Sequence, residues 1–170
     1  MSTAIDDILK KSNNMVAETV FKLAGGKYAK GTGTTTSSIE MLDDYYKNLG
    51  INTDNIKIVD GSGVSKNNLI TADFMTEVLL KTAQNKNKTS LQTYLASPGE
   101  GTLSDRMLYF KDNLKAKTGT LTNLSTITGY LTAKNGKVYA FCIMVNDPKS
   151  KSADKKSFEE YVLRAAFDSL

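Results

Sequence analysis

The spacing of apolar residues switches from helical to strand-like within this chain, and that switch fixes its class of fold. From Leu114 to Val145 the sequence reads as a β-meander, with strands around Leu114 to Leu121, Ser125 to Thr132 and Val138 to Val145. Asn135-Gly136 is a strong hairpin signal between the last two, because both residues tolerate the positive φ of a tight turn. The stretch before the meander reads as helices and loops. Thr3 to Leu23 places Ile5, Ile8, Leu9, Met15, Val16, Val20 and Leu23 at helical spacing, and Gly25-Gly26 is expected to end that helix. Ser37-x-x-Glu40 fits a capping box for a second helix, which Gly50 stops after Leu49. Ile56 to Val59 reads as a short extended piece and Asp60-Gly-Ser-Gly63 as a turn. Thr71 is a candidate cap for a third helix with Phe74, Met75, Val78 and Leu79 on its apolar side. Asn85 to Thr89 is a polar break, Leu91 to Leu95 a short helix and Pro98 to Gly101 a loop. A closing helix runs from about Ala153 to Leu170 with Phe158, Tyr161, Val162, Ala165 and Ala166 expected inward.

The expected fold is therefore α+β, with helices packed on a small antiparallel sheet. No repeat or long linker divides the chain, so a single domain over residues 1–170 is expected, helical to about 110 and then meander plus closing helix. Three strands are few for 170 residues, and further strands are expected from another segment.

Composition removes several functions. The chain has no histidine, which excludes His-based triads and the usual neutral-pH proton shuttle; no metal or cofactor is implied. Its one cysteine, Cys142, cannot form an internal disulfide and reads as a buried, inert thiol. The net charge of +4 is mild, and the lysines from Lys149 to Lys156 lack interleaved aromatics, so they read as a solvated loop and not as a nucleic-acid surface. No apolar run approaches the ~20 residues of a membrane span. The acidic start lacks the apolar core of a signal peptide, which fits a cytosolic chain or one whose leader lies elsewhere.

Acid–base work must then fall to lysines, carboxylates and hydroxyls. Lys117-Thr118-Gly119-Thr120 lies on the first predicted strand. Lys117 supplies a positive charge, Thr118 and Thr120 supply donors, and Gly119 leaves room for a ligand's backbone against the strand. Ser65-Lys66-Asn67 can project a hydroxyl and an amide from the loop after Asp60, although both residues are also common turn formers. Ser12-Asn13-Asn14 has the same spacing, but it falls inside the first helical pattern and reads as structural. Gly25 to Gly33 is glycine- and lysine-rich, yet it lacks the Gly-Lys-Ser/Thr ending of a phosphate-binding loop.

Together these segments resemble the class C penicillin-binding proteins, D-Ala-D-Ala carboxypeptidases and endopeptidases that carry Ser-x-x-Lys, Ser-x-Asn and Lys-Thr-Gly in that order. Leu9 to Glu18 resembles the family's helix ahead of its Ser-x-Asn loop. Val59 to Ile70 resembles its Asp-Gly-Ser-Gly-Leu-Ser segment. Gly101-Thr-Leu, Lys115 to Leu121 and Ser125 to Leu131 resemble its Lys-Thr-Gly strand and hairpin. The likeness covers essentially the whole chain. One motif departs from it: the only Ser-x-x-Lys is Ser152-Ala-Asp-Lys155, which follows Lys-Thr-Gly and reads as a helix cap. The chain thus resembles the C-terminal portion of such an enzyme, without its nucleophile segment and first strands.

The resemblance implies a transpeptidase-like fold and serine-type hydrolysis of peptidoglycan stem peptides ending in D-Ala-D-Ala, outside the cytoplasmic membrane, with β-lactams as acylating mimics. It implies catalytic roles for Ser65, Asn67 and Lys117, and substrate binding by Thr118, Gly119 and Thr120. Lys117 would depress the pKa of the absent lysine and attract the substrate carboxylate. The Thr120 N–H would form half of an oxyanion hole, Ser65 would relay a proton, and Asn67 would hold the acyl-side amide. The chain alone is expected to be inert. The alternative is a non-catalytic interaction module that keeps this fold.

Overall fold

The computed structural model describes residues 2–84 and 90–170, with side chains from residue 4 onward. The expected polar break at Asn85 to Thr89 lies outside the described residues. Four helices come first: α1 (Ser2–Leu9), α2 (Asn14–Ala29), α3 (Thr35–Asn48) and α4 (Ala72–Gln84). Three short 3-10 turns, Leu91–Tyr94, Gly101–Leu103 and Leu108–Asn113, lead into the strands β1 (Leu114–Leu121), β2 (Leu124–Thr132) and β3 (Val138–Asn146). Helix α5 (Ser152–Ser169) closes the chain. The sheet is antiparallel in the order β1-β2-β3, so the α+β expectation matches the observed architecture.

The meander follows from alternation. Leu114, Ala116, Ile127 and Leu131 point to one face and pack with Leu103, Met107, Phe110 and Leu163 of α5 into the main core. On the other face Tyr130 packs with Leu79 of α4 and Leu95, and its hydroxyl donates to the Leu79 carbonyl at 2.8 Å. The β2–β3 hairpin turns at the expected Asn135-Gly136, with Gly136 at φ 77° and the Asn135 side chain accepting from the Lys137 N–H.

Three local expectations change. The helix expected from Thr3 to Leu23 is two helices, broken at Lys10 to Asn13. Ser12 sits at φ 58°, and the Asn13 side chain accepts from the Val16 N–H at 3.1 Å, capping a new helix. Gly25-Gly26 does not end that helix. Both residues are buried within α2, which stops at Ala29 with Lys30 in the left-handed cap. A Cβ on Gly25 would lie 2.2 Å from the Ser38 hydroxyl and 2.6 Å from its backbone nitrogen, so glycine is there to let α3 approach.

The second change is at the α3 cap. The expected pair Ser37/Glu40 gives way to Thr34 and Ser37, which exchange side-chain and backbone hydrogen bonds three residues earlier. Gly50 follows the helix at φ 69°, and the Thr71 hydroxyl caps α4 by accepting from the Phe74 N–H at 3.1 Å, both as expected. The third change is the rotation of α5. Phe158 and Tyr161 are 52% and 71% exposed, and the inward face is Lys155, Glu159 and Leu163. Polar partners decide that rotation. Lys155 Nζ donates to the carbonyls of Asp147 and Ser150, while Glu159 meets Arg106 at 2.7 Å.

Candidate active site

Strand β1 is an edge strand over the Lys-Thr-Gly residues. Its outer side is bridged once, where the Ala116 N–H donates to the Ala96 carbonyl at 2.9 Å. Backbone direction alternates along an antiparallel strand, so the N–H groups of Thr118 and Thr120 also point outward. Among the described residues no strand pairs with this edge beyond Ala96. Thr120 is exposed.

Lys117 points to the face opposite the main core, the same side as Lys115 and Gly119. Its Nζ donates to the Ser12 hydroxyl at 2.8 Å and to the carbonyl of Thr118. Burial pushes the ammonium's pKa below the ordinary lysine value of 10.5. A half-buried lysine ammonium donating to a serine hydroxyl is an arrangement through which a proton can pass. The α1–α2 corner makes the contact possible, because its left-handed turn at Ser12 directs that side chain toward β1.

The hydroxyl beside Lys117 is therefore Ser12, and not the expected Ser65. Asn14, which completes Ser12-x-Asn14, is exposed in the first turn of α2. The helical pattern running from Ile5 to Leu23 hid the corner in the sequence. The usable signal was that Ser12-Asn13-Asn14 matched the motif spacing as well as Ser65-Lys66-Asn67 did.

Ser65 and Asn67 belong to a self-bonded loop. Asp60 accepts from the Ser65 N–H at 2.8 Å, and the Ser65 hydroxyl accepts from the Asn67 N–H at 3.2 Å. Burial raises the Asp60 pKa, but the hydrogen bonds from the Ser65 and Gly63 N–H groups and the Asn68 and Ser62 side chains together outweigh it and hold the carboxyl below its usual range. The loop docks on α2 through Gly61, whose N–H donates to Glu18 at 2.7 Å. Glu18 is one helical turn from Asn14, about 6 Å along the axis, so the loop stands near the corner without a described hydrogen bond to Lys117.

Thr118 is buried on the core side of β1, and its hydroxyl bonds the Thr102 hydroxyl at 2.7 Å. Gly119 has an internal reason to be glycine: a Cβ there would lie 2.6 Å from the Thr126 hydroxyl across the sheet. Ser152 is the first residue of α5, with Lys151 in the cap position. The ammonium of its partner Lys155 is buried and committed to the carbonyls of Asp147 and Ser150. Among the described residues no helix is long and apolar enough to cross a membrane.

The chain is similar to several known proteins. The family described as D-Ala-D-Ala carboxypeptidase 3 (S13) matches residues 1–166. A D-alanyl-D-alanine carboxypeptidase from an Actinomadura species is 33% identical over 157 residues, covering 86% of this chain and 28% of the relative. The D-alanyl-D-alanine carboxypeptidase DacB of Haemophilus influenzae is 29% identical, covering 89% of this chain and 34% of its own length. The chain thus spans about a third of the curated relatives it matches. A crystal structure of penicillin-binding protein 4 from H. influenzae in complex with a β-lactam superposes with a TM-score of 0.88 at 26% identity, covering 97% of this chain and 41% of that one. An extended-spectrum β-lactamase shares the fold, with a TM-score of 0.74 at 22% identity over 99% of this chain and 63% of its own.

Proposed function

Because this chain belongs to the D-Ala-D-Ala carboxypeptidase 3 (S13) family, we propose that it forms one wall of a serine-type D-alanyl-D-alanine carboxypeptidase/endopeptidase site. Its substrates are peptidoglycan stem peptides ending in D-Ala-D-Ala, met outside the cytoplasmic membrane, and β-lactams acylate the completed site. The observation that carries this reading is the Lys117 ammonium seated on the Ser12 hydroxyl beside the open edge of β1. The nucleophilic serine and its lysine come from polypeptide outside these 170 residues, since the one Ser-x-x-Lys within them has its lysine committed elsewhere.

In the completed site the nucleophilic serine loses its proton to its neighbouring lysine and attacks the carbonyl between the two D-alanines. The tetrahedral oxygen takes a hydrogen bond from the Thr120 N–H on the strand edge, one half of the oxyanion hole. On collapse the Ser12 hydroxyl gives its proton to the departing amine and is reprotonated through Lys117, which regains its proton from the lysine that took the nucleophile's. Lys117 also draws the substrate's terminal carboxylate, with the Thr120 hydroxyl as a further donor. The proton-relay role assigned to Ser65 in the sequence passes to Ser12. The loop with Ser65 and Asn67 shapes the acyl side of the cleft, and Asn14 is a second amide available there. Water then hydrolyses the acyl-enzyme.

The test is complementation. The chain is co-produced with the Ser-x-x-Lys-bearing segment of a relative and exposed to fluorescent penicillin. Covalent labelling of the added segment that disappears with Lys117→Ala supports the reading, as does the absence of labelling for the chain alone. A stable mass increase of the isolated chain with benzylpenicillin overturns the external nucleophile. An assembled complex that never labels favours a non-catalytic module with the same fold.

A further inference from the structure

Lys117 and Ser12 stand on elements that are distant in sequence, and one residue spans the space between their supports. Thr102 lies in the 3-10 turn Gly101–Leu103, which packs on β1. Its N–H donates to the Lys10 carbonyl at 3.0 Å, two residues before Ser12. Its hydroxyl bonds Thr118, the neighbour of Lys117, at 2.7 Å.

The turn itself is held on every side. Gly101 sits at φ 50°, and a Cβ there would lie 2.2 Å from the Lys10 oxygen, so only glycine allows the approach. Leu103 is fully buried in the main core. Lys10 faces Glu100 at 3.6 Å, the Glu100 carboxylate accepts from the Ser97 N–H at 3.2 Å, and the Ser97 hydroxyl accepts from Lys115 Nζ at 2.6 Å. Residues 96–103 thus form a clasp joining the α1–α2 corner to β1.

We propose that Thr102 is a positioning residue: its two hydrogen bonds fix the separation between the Ser12 corner and β1, and so hold the Lys117 ammonium on the Ser12 hydroxyl. The functional meaning of this rests on the Lys117–Ser12 pair working as described above, but the positioning itself is measurable without substrate. Thr118 is buried, so removing its hydroxyl partner leaves a polar group that must rotate away or admit water. Either response loosens β1 from the corner and hydrates Lys117.

The experiment follows the Lys117 side chain by lysine-labelled NMR through an alkaline titration of the chain, its signal assigned by its loss in Lys117→Arg. The charged groups on the elements that carry the pair are Lys10 and Glu100, which face each other at the corner, and Lys115 on the same face of β1. Thr102→Val is expected to move the Lys117 midpoint upward, toward the ordinary lysine range, while Thr102→Ser keeps the parent's midpoint because it keeps the hydroxyl. Leu79→Ala, in the core on the α4 side, is expected to lower stability and leave the midpoint in place. If Thr102→Val does not fold, Thr118→Val cuts the same bond and is read the same way. A midpoint unchanged in the valine variant, or moved as far by Leu79→Ala, overturns the proposal. Since no penicillin is involved, failure of labelling in the complemented enzyme leaves this result standing, and the reverse also holds.

Discussion

The Ser12 hydroxyl accepts a hydrogen bond from the Lys117 ammonium at 2.8 Å across 105 residues of sequence. Ser12 reaches it only from a left-handed backbone conformation, φ 58°, at the corner between α1 and α2. A non-glycine residue in that region carries a conformational cost, which the corner's packing sustains.

That cost separates stability from activity at one position. Ser12→Gly and Ser12→Ala both remove the hydroxyl, and penicillin acylation of the complemented enzyme is expected to fall by ~10²-fold in each. The glycine variant is expected to be more stable than the alanine variant by about 1 kcal/mol, because glycine accepts the left-handed turn freely. Denaturant melts of the two variants beside a labelling assay check both halves. Equal stability would show that the corner relaxes in both.

Lys117 sets a pH dependence whose sign is fixed by burial. Its pKa is lowered in the folded chain from 10.5, so the unfolded chain binds the extra proton between the folded midpoint and about that value. Stability therefore gains from this group as pH rises through that window, and the cost of burying the charge is fully present below it. Chemical denaturation against pH is expected to show the parent gaining on Lys117→Met as the pH approaches 10.5. A difference that is flat over that range would mean the ammonium is fully solvated.

Gly25 is expected to be intolerant of a methyl group although it sits mid-helix. Gly25→Ala drives a Cβ into the backbone and hydroxyl of Ser38, and a loss of about 1–3 kcal/mol is expected. Gly31→Ala meets only the Ala29 carbonyl oxygen at 3.9 Å and should stay within about 0.5 kcal/mol of the parent. Thermal melts of the pair decide whether Gly25 closes the α2–α3 contact or merely lies near it.

Partly exposed Arg106 pairs with Glu159 at 2.7 Å, with Glu159 fully buried and its Oε1 without a hydrogen-bond partner among the described residues. Arg106→Met strands that carboxylate and is expected to cost about 3–5 kcal/mol. Adding Glu159→Leu removes the stranded charge, and the double variant is expected to recover much of the loss. A double variant no better than the single would mean the arginine acts through packing alone.

Much of the fold was legible because its signals are local. The alternation of Leu114 to Leu121 and Ser125 to Thr132, the Asn135-Gly136 turn, the Thr71 cap and the Gly50 stop each depend on a few neighbouring residues. The structure departs from local rules where a distant partner competes with them. Gly25-Gly26 has the composition of a helix stop, but contact with α3 uses it inside the helix. Apolar spacing turned Phe158 and Tyr161 inward on α5, whereas Arg106 and the carbonyls after β3 turned Glu159 and Lys155 inward instead.

The site divides in the same way. Lys117-Thr118-Gly119-Thr120 could be placed on a strand from the sequence alone, because strand alternation and turn chemistry are properties of contiguous residues. As strings Ser12-Asn13-Asn14 and Ser65-Lys66-Asn67 share one spacing, and the local helical pattern around Ser12 favours the second. Only tertiary packing chose between them, through a helix corner tied to β1 by Thr102 and admitted by Gly101, because a contact spanning 105 residues is set by where whole elements dock.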